Sequence, residues 1–116
     1  MKSFLLSLIL FAQVTVGPAI TLQLDKNVGY QPLDVQTRTT IEPNYLNQWV
    51  CITWESETEG PHRGCWSLDG EYSAKYQYYD LKKLPVGTYT VFATVKRVRD
   101  FENTPAQQIQ VLDRSY

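Results

Sequence analysis

The stretch Leu81 to Val95, LKKLPVGTYTVFATV, contains the end of one strand, a corner and the whole start of the next. Leu84-Pro85 stops the first strand, because proline has no N–H to give a ladder. Val86-Gly87 supplies the turn. From Tyr89 the pattern alternates: Tyr89, Val91, Ala93 and Val95 take one side, and Thr90, Phe92, Thr94 and Lys96 the other. A period of two over so many residues predicts a half-buried strand, with Leu84, Tyr89 and Val91 as core positions.

Working outward, the same signal recurs. Ile20–Lys26 alternates through Ile20, Leu22 and Leu24, and Leu33–Glu42 through Leu33, Val35 and Ile41. Gln48–Glu55 is dense in Trp49, Val50, Ile52 and Trp54. Arg63–Leu68 ends at the turn pair Asp69-Gly70; Lys75–Leu81, Thr88–Val98 and Gln107–Asp113 complete the set. No window shows a sustained 3.6-residue apolar period. Seven short strands separated by turn residues predict an all-β, antiparallel two-sheet sandwich, and no internal repeat or linker divides it.

The segment LPVGTYTVFATV resembles the corner and sixth strand of fibronectin type III and related immunoglobulin-like β-sandwich domains, and the Leu-Pro-x-Gly-Thr-Tyr corner of small exported bacterial immunoglobulin-like domains. The resemblance implies that the Tyr89 hydroxyl bonds back to nearby backbone and that Trp54 is a core aromatic. It further implies that the third, fourth, sixth and seventh strands share a sheet. It carries little about function, since sandwiches host many unrelated roles. The cysteines depart from the antibody pattern: the candidate bridge joins the third and fourth strands instead of crossing the core.

Met1–Ala12 reads as a charged start followed by the apolar run FLLSLILFA, and Gln13–Ala19 ends in small residues. That order is the anatomy of a secretory signal peptide over residues 1–19, with cleavage after Ala19 or after Gly17. The apolar run is far short of the about 20 residues that span a bilayer, so no integral membrane segment is expected in the mature chain. The expected location is periplasmic or extracellular. Trimming 19 residues leaves 97, with 10 basic and 12 acidic side chains. That balance excludes an electrostatic nucleic-acid binder. In an oxidising compartment Cys51 and Cys65, 14 positions apart, are most simply a disulfide. A reactive thiol beside His62 and Arg63 is the alternative.

If Val50, Ile52 and Trp54 point inward, Trp49, Cys51 and Thr53 point out. Phe92, Thr94, Lys96 and Gln110 are then expected on the same outer face. This defines a candidate binding surface around Trp49, Phe92 and the disulfide, unless Trp49 only covers the sulfurs. Tyr76 and Tyr78 share a strand face and form an alternative sugar platform, unless they are there as good strand formers. Glu55, Glu57 and Glu59 could gather around a cation, but Ser56–Gly64 reads more simply as a hairpin tip holding His62.

One histidine and two cysteines are too few for a closed metal site, and no cofactor is expected. No nucleophile elbow or His-Glu-x-x-His motif is present. The sequence therefore leads to a non-enzymatic exported module that binds a protein or envelope component, with carbohydrate binding as the alternative.

Overall fold

The computed structural model describes residues 18–114. The signal-peptide reading falls on residues outside them, apart from Pro18 and Ala19. The chain forms β1 (Ile20–Leu24), β2 (Val28–Tyr30), β3 (Leu33–Ile41), β4 (Asn47–Ser56), β5 (Gly60–Ser67), β6 (Tyr76–Leu84), β7 (Gly87–Arg97), β8 (Phe101–Asn103) and β9 (Gln107–Leu112). A single 3-10 turn, Gly70–Tyr72, lies between β5 and β6. All seven expected strands are present, with bounds shifted by a few residues. No helix among the described residues is long and apolar enough to cross a membrane.

Two sheets pack face to face. The smaller has the order β1-β3-β6; the larger has β2-β9-β7-β4-β5, with β8 paired to β7. The expected four strands do share the larger sheet. Two features correct the expected seven-stranded antiparallel sandwich. β2 and β8 are additional strands, and β2 runs parallel to β9, so the sheet is mixed. Both strands are three residues long, too short to print a period on the sequence.

Alternating side chains meet between the layers. Val35, Val50, Ile52, Tyr89, Val91, Ala93, Val95 and Ile109 are fully buried, with Leu84 nearly so. The Tyr89 hydroxyl donates to the Pro85 carbonyl at 2.8 Å, as the corner motif implies. Trp54 differs from expectation. It is only partly buried, since it lies at the hairpin end of β4, opposite the exposed His62 of the edge strand β5. There Trp54 stacks on His62 at 5.6 Å, and Tyr79 packs beside Trp54 and stacks on Trp66. This aromatic row closes the open flank of the core.

Candidate functional site

The outer face of the larger sheet is built by register. Cys51 lies opposite Cys65 on one side and Thr94 on the other. Trp49 lies between Ser67 and Lys96, and Thr53 between Arg63 and Phe92. On β8, Asn103 faces Thr94 and Phe101 faces Lys96. Because side chains alternate, these residues stand on one face, and their counterparts Val50, Ile52, Ala93 and Val95 fill the core.

They enclose a recess of about 420 Å³ lined by Trp49, Cys51, Arg63, Cys65, Phe92, Thr94, Lys96, Phe101 and Asn103. Cys51 and Cys65 are bonded to each other, with a Cα–Cα distance of 4.1 Å, and no free cysteine is present. Cys65 is exposed and Cys51 half-buried. Trp49 is 47% exposed and Phe101 65% exposed, so the apolar walls of the recess face solvent. Thr94 donates its hydroxyl to Asn103 Oδ1 at 2.5 Å, fixing one wall.

The bridging pair has a definite place in the ladder. Leu68 N donates to Gln48 O at 2.8 Å, which makes Gln48 and Leu68 a hydrogen-bonded position of the β4–β5 pairing. Counting by two, Val50–Trp66 and Ile52–Gly64 are hydrogen-bonded pairs, while Trp49–Ser67, Cys51–Cys65 and Thr53–Arg63 are the close, non-bonded pairs. The sulfurs bridge at a close pair, in keeping with the short Cα separation.

Several expected site residues lie together and others do not. Trp49, Phe92, Thr94, Lys96 and both cysteines share the recess. Thr53 is buried under its neighbours instead of lying on the rim, and its Oγ1 has no hydrogen-bond partner. Gln110 faces outward opposite Thr88, at the other end of β7. Tyr76 and Tyr78 are exposed on the opposite layer, where the Arg38 guanidinium lies 5.3 Å from the Tyr76 ring centroid. His62 is corrected: it is paired with Trp54 within β5, not at a loop tip, which shrinks to the three residues between Ser56 and Gly60. Phe101, Asn103 and Arg63 were missed as lining residues. Only the β7–β8 pairing brings the first two to the recess, and no local pattern announces it.

Among the described residues no three His, Cys, Asp or Glu side chains come close enough to hold a metal ion. Glu55 and Glu57 instead line a polar groove with Val86, Thr88 and Gln108.

The site and topology together define a two-layer all-β domain with a solvent-facing disulfide. No protein-family model matches the chain, and no curated protein matches its sequence. Solved structures do resemble it. The superoxide reductase (neelaredoxin) of Ignicoccus hospitalis superposes with a TM-score of 0.63 at 14% identity, covering 82% of this chain and 81% of that one. A point variant of the same protein gives 0.61 at 14% identity, covering 81% and 82%. The sporulation control protein Spo0M of Bacillus subtilis gives 0.50 at 10% identity, covering 83% of this chain and 50% of its own.

At such identities the likeness defines the fold alone. It corrects the fibronectin type III and immunoglobulin-like assignment, since the structures that superpose with TM-scores above 0.6 here are superoxide reductases. The tyrosine corner is a local solution to a buried phenol beside a turn, and a two-layer fold outside that family contains it here. The expectation of a non-enzymatic binding or adhesion module, with carbohydrate binding as its alternative, is corrected as well. It rested on the missing catalytic motifs and on the exposed aromatic surfaces, whereas the superoxide reductases that share the fold are enzymes by name.

Proposed function

We propose that this chain is an exported thiol–disulfide redox protein whose reactive pair is Cys51–Cys65. The observation that carries the reading is the placement of the bond: it faces solvent in a recess that also holds Arg63 and Lys96. Buried disulfides are inert, whereas exposed ones beside cations are open to thiolate attack, and the cations favour the thiolate that leaves.

A substrate thiolate attacks the exposed Cys65 Sγ, the Cys51–Cys65 bond breaks, and Cys51 departs as the thiolate. A second substrate thiolate then attacks the substrate sulfur of the mixed disulfide and releases Cys65. Two substrate thiols become one disulfide, two protons are released to solvent or to the protein thiolates, and the protein becomes a dithiol. The reverse direction reduces a substrate disulfide.

The reduction of superoxide, named for the fold's neighbours, is a one-electron step. The described residues bring together no set of metal ligands to supply it, so the reading rests on two-electron sulfur chemistry. Equilibration in glutathione redox buffers, with alkylation and intact mass as readout, tests it. A midpoint above about −250 mV is expected; one below about −300 mV is the range of structural bridges and would overturn the proposal.

A further inference from the structure

β5 ends the larger sheet, so one side of its backbone pairs with β4 and the other pairs with nothing. The ladder parity decides which groups are left over. Residues at the close pairs point N–H and C=O away from β4, and on β5 these are Pro61, Arg63, Cys65 and Ser67. Pro61 has no N–H and marks where a pairable edge stops. Arg63, Cys65 and Ser67 each offer one donor and one acceptor along the open side, and all three are exposed. No hydrogen bond from elsewhere in the described residues reaches those groups.

We infer that this edge is the docking strand for substrate: an extended, cysteine-bearing polypeptide segment adds antiparallel to Arg63–Ser67 and sets its own cysteine opposite Cys65. The inference rests on the disulfide reading and names its substrate class. A residue opposite Cys65 on an added antiparallel strand occupies a hydrogen-bonded position, with a Cα separation of about 5.5 Å. Its side chain stands on the same outer face as Cys65. That separation falls within the span a disulfide bridges, about 4.4–6.8 Å. Main-chain pairing therefore delivers the attacking sulfur to Cys65 and not to the half-buried Cys51. Strand addition of this kind recognises extended backbone with little demand on sequence.

The test uses a short peptide of alternating Thr and Val with one central Cys. Its control is the same peptide N-methylated at the residues whose N–H groups would meet β5. With Cys51→Ser protein whose Cys65 is capped by thionitrobenzoate, release of the chromophore reports attack at Cys65. The unmodified peptide is expected to react about tenfold faster than the N-methylated one, the worth of one or two net hydrogen bonds. Equal rates for both peptides and for glutathione would overturn strand docking while leaving the disulfide chemistry intact. A second measurement does not depend on exchange. The same peptide with serine in place of its cysteine, added to oxidised protein, should shift the amide resonances of Arg63, Cys65 and Ser67. Unmoved resonances overturn docking; shifted resonances with a bond that no thiol reduces overturn the redox reading alone.

Discussion

Tyr89 shows how one atom ties a corner to the core. Its ring is fully buried between the sheets, and its hydroxyl reaches back four residues to Pro85 O. Tyr89→Phe keeps the ring and loses the bond, leaving a carbonyl short of a donor. A cost of about 1 kcal/mol is expected in urea unfolding at neutral pH. Burial, reinforced by the charge of Glu59, pushes the Tyr89 phenol above its ordinary range. The neutral form is favoured in the fold, so this contribution is complete below the unfolded phenol value of about 10 and declines as pH rises through the folded value. The gap between wild type and Tyr89→Phe should therefore narrow in alkaline titration; a gap that widens would contradict the assignment. Gly64 makes a parallel case by absence. A Cβ there would lie 2.3 Å from the Tyr79 ring, and that ring cannot retreat freely because it is stacked on Trp66. Gly64→Ala should cost about 1–3 kcal/mol through overpacking, and Tyr79→Leu in the same chain should recover part of it in thermal melts.

At the scale of elements, a bulge in β6 explains a strained residue. Leu33 pairs with Leu84 and Val35 with Leu81, so Lys82 and Lys83 together oppose Asp34. Lys83 absorbs the extra residue with a φ of 57°, and its N–H donates to Asp34 Oδ1 at 2.8 Å. A left-handed conformation disfavours any residue with a Cβ, so Lys83→Gly should raise stability by about 0.5–1 kcal/mol. Calorimetry showing a loss instead would place the weight on the Lys83 side chain. The Lys-Lys pair gave no sign of this in the sequence, because a bulge is dictated by the partner strand's register. Elements with their own period were legible: the alternation of Tyr89, Val91, Ala93 and Val95 located β7 and its faces. Elements defined by a distant partner were not. Val28–Tyr30 becomes a strand only because β9 lies beside it, and Phe101–Asn103 only because β7 does. Gly60-Pro61 read as loop for a related reason. Gly60, at a φ of 73°, does turn the hairpin, but Pro61 is already strand, tolerated because its missing N–H would have faced the open edge. The candidate site divides in the same way. Trp49, Cys51, Phe92, Thr94 and Lys96 were legible from alternation on two strands, whereas Phe101 and Asn103 depended on pairing.

For the whole molecule, the redox reading requires that the dithiol form keep the fold, and the layering argues that it does. The sulfurs lie on the outer face, while the core is made by Val50, Ile52, Val91, Val95 and their partners in the smaller sheet. β5 is held after reduction by its ladder to β4, by the Trp66–Tyr79 stack, and by the Trp66 Nε1 bond to Gln77 Oε1 at 2.9 Å. What reduction removes is the constraint on the unfolded chain. For a bridge closing 14 positions that constraint is worth about 3 kcal/mol, or a fall in melting temperature of roughly 12–24 °C for a domain of about this size. Reduced protein and Cys65→Ser should therefore share a strand-rich far-ultraviolet spectrum and native tryptophan emission at room temperature, while both melt well below the oxidised form. A reduced chain that has lost its sheet signal at room temperature would mean that the bond holds the fold together, and a bond in that position could not cycle between oxidation states in a working protein.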